Sequence, residues 1–195
     1  MSTILKQQLL LSVAAATMIQ TCGSAAPHGQ SAPPIVGLQQ GDGVTFVTAP
    51  GGNAMTILYD NAVIEVRGAP PISGGKKSHT RRFELIAGVT GQTLRFWVRG
   101  HVIAAGKTGI RLVFDTDGKA TDLSANLTEG EFLACFDAPV GSLVMKTSWT
   151  GEVTQVEGET VSLAIDSIDI GRVVADSPVL VGGTCPAVPP SAGKG

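Results

Sequence analysis

From Val44 onward, oily and polar residues alternate with a period of two, and Gly, Pro, Asn and Asp interrupt the alternation at short intervals. Period two is the spacing at which successive side chains of a strand point to opposite faces, so the pattern predicts half-buried β-strands. The predicted strands are Val44 to Val47, Met55 to Tyr59, Ala62 to Arg67, Arg81 to Ala87, Thr93 to Ile103, Ile110 to Phe114, Glu131 to Phe136, Leu143 to Trp149, Val153 to Val156, Val161 to Ile165 and Ile168 to Val174. A further short edge strand is expected at Ile35 to Leu38. Pro50-Gly51-Gly52-Asn53, Ser73-Gly74-Gly75, Asp117-Gly118 and Glu157-Gly158 supply turn residues that tolerate positive φ. Helix is expected only in short pieces, at Asp122 to Leu127 and around Ala175. An all-β fold follows, an antiparallel two-sheet β-sandwich of about nine to eleven strands, with a β-barrel as the second choice.

The alternation also assigns faces. In Leu94 to His101 it turns Leu94, Phe96 and Val98 inward and Arg95, Trp97, Arg99 and His101 outward. Ile64 and Val66 are expected inside, with Val63, Glu65 and Arg67 on the opposite face.

The ends of the chain read differently. One lysine precedes the apolar run Gln8 to Ile19, which is too short to span a bilayer and is followed by Gly23, Ser24, Ala25 and Ala26. This predicts a signal peptide over 1–25, a Gly/Pro-rich linker over 26–42, a sandwich domain over 43–182 and a flexible tail over 183–195. The rival reading of the leader makes Cys22 a lipid-modified N-terminus. No second hydrophobic span follows, so a secreted, periplasmic or cell-surface protein is expected, with no membrane span.

Hydrophobic residues make up 43% of the chain and charged residues 15%, which excludes disorder driven by charge. The net charge of −2 disfavours nucleic acid as a partner. The distribution is uneven: Glu65 to Arg111 holds nine basic residues against two acids, and Leu112 to Leu180 holds three against twelve. Strands from the two halves that pair would neutralise each other. Alternatively, Arg95, Trp97, Arg99 and His101 form a cationic patch, in which an exposed indole between guanidiniums binds a carbohydrate-like ligand.

The stretch Ala54-Met55-Thr56-Ile57-Leu58-Tyr59-Asp60-Asn61, a Gly/Pro loop, the basic group Lys76, Lys77, Arg81 and Arg82, then Gly91 and Arg99-Gly100, resembles a family of small secreted bacterial and fungal proteins of unknown function. The resemblance runs from Ala54 to Gly118 and implies export and a β fold. Where that family carries a cysteine soon after the basic group, Phe83 stands here.

Catalytic and metal motifs are sparse. Gly106-Lys107-Thr108 lacks the glycine spacing of a phosphate loop. Asp115, Asp117 and Asp122 sit where a calcium loop would begin, but Lys119 and Asn126 occupy positions that need oxygen ligands. A hairpin turn accounts for Asp117-Gly118 equally well. His28, His79 and His101 have neither zinc spacing nor a nucleophile elbow beside them. Of the three cysteines, Cys135 and Cys185 are expected to form a disulfide after export, closing a loop of about 50 residues and contributing roughly 4 kcal/mol.

The leading expectation is thus an exported, non-enzymatic sandwich without cofactor, which binds a carbohydrate or another surface protein. A small secreted hydrolase with an acidic pair and a surface-fibre subunit are the alternatives.

Overall fold

The computed structural model describes residues 32–38, 43–67, 75–103, 109–154 and 160–173. The expected leader, Cys22, His28, Gly106-Lys107-Thr108, Cys185 and the tail lie outside them. The chain divides into Met1–Ser31 and Ala32–Gly195, and all described residues belong to the second unit.

Eleven strands form two antiparallel sheets. They are β1 (Val36–Leu38), β2 (Val44–Thr48), β3 (Ala54–Tyr59), β4 (Val63–Val66), β5 (Lys76–Ile86), β6 (Thr93–Ile103), β7 (Ile110–Thr116), β8 (Lys119–Asp122), β9 (Gly130–Pro139), β10 (Val144–Thr154) and β11 (Val161–Arg172). One sheet has the order β1-β5-β10-β7-β8; the other runs β2-β3-β11-β6-β9, with β4 also paired to β11. The sheets pack face to face as a sandwich and do not close into a barrel.

The core is the set of side chains that alternation sends inward from both sheets. Phe83 and Leu85 of β5, Met145 and Trp149 of β10, and Leu112 and Phe114 of β7 meet Phe96 and Val98 of β6, Phe132 and Phe136 of β9, and Leu163 and Ile168 of β11. Phe96 and Phe136 stack at 4.7 Å between centroids, and Phe114 lies 5.1 Å from Phe136 across the interior. Ile64 and Val66 are buried and Val63 is exposed, the faces expected from sequence.

Several boundaries differ from the expected ones for identifiable reasons. β10 runs straight through Gly151, where two strands are expected, because Gly151 pairs with His79 of β5 and Leu112 of β7; the glycine fits crowded space, since a Cβ there would sit 2.5 Å from Ile64 Cδ1. β11 likewise joins two expected strands across a register shift between Ile165 and Ser167, an irregularity that lets one strand pair with β4 and then β3. β5 begins at Lys76 rather than Arg81, since its polar first half pairs fully with β10. β8, Lys119–Asp122, is a strand not expected from sequence, between the turn expected at Asp117-Gly118 and the short helix expected at Asp122 to Leu127, within which a 3₁₀ turn, Ser124–Asn126, is the one helical piece among the described residues. Ile35 is fully buried and β1 edges β5, so the folded unit takes in part of the expected linker.

Candidate functional site

The four residues expected to form a cationic patch do share the outer face of the β2-β3-β11-β6-β9 sheet, but two of them are closed to solvent. Trp97 is 4% exposed. Arg95 and Asp137 oppose each other in register, with side chains 7% and 1% exposed. The Arg95 guanidinium donates from Nε to Asp137 Oδ1 at 2.7 Å and from Nη2 to Oδ2 at 2.9 Å, a bidentate pair. Arg99 remains exposed, donating from Nε to Asp169 Oδ2 at 3.3 Å, and His101 is half-buried. The expected exposed indole between free guanidiniums is therefore corrected. Alternation set which way these side chains point, and a carboxylate opposite Arg95 together with cover over Trp97 removed them from water.

The calcium reading is corrected too. Each carboxylate accepts a backbone N–H: Asp115 Oδ1 from Gly118 at 3.0 Å and Asp122 Oδ1 from Ser124 at 2.9 Å within the local turns, and Asp117 Oδ1 from Lys146 of β10 at 2.8 Å. Asp117 and Gly118 have φ of 50° and 82°, the two positive values of a tight hairpin turn between β7 and β8. The Ser124 hydroxyl and N–H, then Arg111, hold the Asp122 carboxyl below its ordinary pKa. Among the described residues no group of three or more His, Cys, Asp or Glu side chains is placed to hold a metal ion.

Cys135 is fully buried on β9 and is disulfide-bonded. It is the one cysteine among the described residues, so no complete bridge lies within them.

Sequence reasoning missed the flank where the two sheets separate. β5 pairs with β10 along its whole length, but β1 covers its other side only at Glu84 to Ile86. Residues 76–83 therefore present a strand edge with no strand partner among the described residues. β4 pairs only with β11 and turns its other edge toward β5. Between these edges lies a groove of ≈ 440 Å³, lined by Val63, Glu65, Lys76, Lys77, Ser78 and His79. Lys77 Nζ donates to the Glu65 carbonyl at 2.8 Å across it, and Lys76 pairs with Glu152 at 2.9 Å. A second, smaller depression of ≈ 240 Å³ lies among Arg82, Glu84, Asp115, Lys146 and Ser148 of β5, β7 and β10.

At its inner end the groove meets an aromatic and basic cluster. The His79 ring lies 5.9 Å from that of Trp149, and Tyr59 meets the same indole edge-on at 5.8 Å. Tyr59 Oη, His79 Nε2, Arg81 Nε and Trp149 Nε1 are buried without hydrogen-bond partners among the described residues. Burial pushes the Tyr59 hydroxyl well above its usual pKa, and burial, then the Arg81 charge, lowers that of His79. The signal for this cluster was present in sequence only as alternation: His79, Arg81 and Phe83 share the inward face of β5.

The lowered His79 pKa makes a directional prediction. The unfolded imidazole takes a proton near its ordinary pKa of 6.5, whereas the folded one resists it, so stability is complete above that value and declines as pH falls below it. Thermal unfolding at pH 7.5 and 5.5 is expected to show a smaller drop in His79→Gln than in the wild type. An identical drop in both proteins rules His79 out as the cause.

The fold defines a class, the two-sheet antiparallel β-sandwich, here with one side of β5 from residue 76 to residue 83 lacking a strand partner among the described residues. No family model matches the chain, and no curated protein matches it. Among solved structures it is similar to dimeric latent PorU from Porphyromonas gingivalis, at 14% identity and a TM-score of 0.33, over 72% of this chain and 19% of that one. That likeness is too slight to carry a functional argument. Among the described residues no helix is long and apolar enough to cross a membrane.

Proposed function

We propose that this chain is an exported, non-enzymatic β-sandwich that binds an extended, acidic segment of a protein partner along the free edge of β5. One observation carries the reading: residues 76 to 83 of β5 have no strand partner on one side among the described residues, run beside a groove and bear Lys76, Lys77 and Arg82. A peptide added to such an edge gains main-chain hydrogen bonds, while pockets beside it select side chains. The excess of basic residues between Glu65 and Arg111 supports an acidic partner, and so do Lys76 and Lys77 in the groove lining. With Trp97 covered, the stacking surface that favoured a carbohydrate is gone, which moves the balance toward a protein. The apolar leader and the resemblance over Ala54 to Gly118 to small secreted proteins support export to the periplasm, cell surface or medium. In that compartment Cys135 pairs with Cys185.

The test is calorimetric titration of the mature protein with an alternating Glu-Val peptide, its Lys-Val counterpart, and acidic and neutral glycans. The acidic peptide is expected to bind, more weakly as salt rises, and the Lys76→Glu/Lys77→Glu variant is expected to lose at least about tenfold in affinity, or ~1.4 kcal/mol. Binding of glycans but not of the acidic peptide returns the carbohydrate reading. Equal binding by wild type and variant removes the β5 edge from the interface.

A further inference from the structure

The outer face of the β1-β5-β10-β7-β8 sheet carries an apolar corner. Ile35, Leu85 and Met145 are fully buried and point into the core, so by alternation Val36, Ile86 and Val144 point out of the sheet. These three are cross-strand partners: Val36 opposes Ile86, and Ile86 opposes Val144. Val36 is 38% exposed, Val144 41%, and Leu143, just before β10, 56%. Apolar side chains scattered singly over a surface need no partner, but a contiguous row on one face marks a surface that another body covers.

The charges beside this row point to what that body is. The next outward-facing pair along the strands is Glu84 opposite Lys146, and the one after is Arg82 opposite Ser148, with Asp115 opposite Ser148 on β7. None of Arg82, Glu84 and Lys146 takes part in an ion pair among the described residues. Around the smaller depression the face thus holds two cations and two carboxylates in balance. A partner of one sign is repelled by half of these groups, whereas a second copy of the same face supplies the opposite sign to each of them.

We propose that two copies of this chain associate through this face, sheet on sheet, about a twofold axis that runs along the strands between β5 and β10. Such an axis exchanges β5 with β10 and keeps position along the strands, so residues that oppose each other within one copy meet across the interface. Ile86 then packs on Val144 of the partner subunit, and Glu84 meets Lys146 of the partner subunit. Arg82 meets Ser148 of the partner subunit, and Thr80 meets Thr150 of the partner subunit. From Lys76 to Ile86 no like charges of β5 and β10 are set against each other. The axis also aligns the strands of the two copies, within the ~30° at which twisted sheets pack face to face. Size allows it: the eleven residues of β10 run about 35 Å and five strands span about 20 Å. That is a face on the order of 700 Å², close to the ~800 Å² each partner buries in a stable complex. The surface is separate from the groove between β4 and β5, so the inference stands apart from the peptide reading.

The experiment reads the oligomeric state of the mature protein by light scattering during size-exclusion chromatography. The wild type is expected to be a dimer at roughly 100 μM, since interfaces of this size bind at micromolar Kd or tighter. Val144→Asp is expected to weaken dimerisation at least about tenfold with unchanged circular dichroism, because Val144 is already 41% exposed and its replacement disturbs no core contact. Glu84→Lys and Lys146→Glu are each expected to be monomeric, since each sets like charges against each other across the axis. An equimolar mixture of those two variants is expected to dimerise again, because the basic face of one then meets the acidic face of the other. Mixing cannot repair an ion pair inside a single copy, so this rescue separates the interface from a contact between Glu84 and Lys146 of one chain. A monomeric wild type overturns the proposal. So does a dimer that Val144→Asp leaves intact, or a mixture that stays monomeric.

Discussion

Asp137→Ala is expected to lower the unfolding free energy by about 3–5 kcal/mol, because it leaves the Arg95 guanidinium charged and buried without its bidentate partner. Both side chains are nearly sealed, at 7% and 1% exposure, so neither water nor salt replaces the lost contacts. In a domain of this size such a loss corresponds to roughly a 10 °C fall in melting temperature. Replacing both members, Arg95→Met with Asp137→Leu, should recover most of that loss, since an apolar pair of similar volume carries no desolvation penalty. Chemical denaturation of the two single variants and the double variant checks this. If the double variant is no more stable than Asp137→Ala, the buried charge is not the source of the effect.

Gly100→Ala is expected to be comparably damaging, at about 3 kcal/mol or more, the upper end of what overpacking costs. A Cβ at this position would lie 2.1 Å from the Ala164 carbonyl oxygen and 2.7 Å from the Phe132 ring. The carbonyl belongs to β11, which pairs with β6 on both sides of Gly100, so the backbone cannot move without breaking the central ladder of the sheet. Gly141→Ala supplies the control: a Cβ there meets nothing within 4 Å, and the change should be nearly silent. Similar unfolding midpoints for the two variants would mean that the strands relax around the added methyl.

The two predictions mark where sequence stops being sufficient. Gly100 sits in a run that sequence reads correctly as one long strand, but nothing in that run says a carbonyl from residue 164 comes within van der Waals range. Arg95 and Asp137 are 42 positions apart, and their pairing follows from the register of β6 on β9. The overall neutralisation between the basic and acidic halves was legible; which partners meet was not. Arg95 finds Asp137, Arg99 finds Asp169, and Lys76 and Arg111 share Glu152.

The candidate site was less legible than the fold. The basic group at Lys76 to Arg82 is visible in sequence, but its significance depends on β1 pairing with β5 only at Glu84 to Ile86 among the described residues. For the weak calcium candidate Asp115, Asp117 and Asp122, spacing could not show that the three carboxylates separately accept N–H groups from Gly118, Lys146 and Ser124.

What the sequence alone determined is the class of structure. A period of two forces strands, and turn residues at short intervals force antiparallel connections. An apolar set on one face of each strand forces two sheets to close on each other, because burial of that set drives folding. What only the tertiary structure decided is which outward-facing residues remain in water. Alternation gives the direction of a side chain relative to its own sheet; exposure depends also on what other segments lie against that sheet. Trp97 and Arg95 point outward and are closed, while the polar first half of β5 lacks a strand partner on one side among the described residues, because both outcomes depend on pairings between residues far apart in the chain.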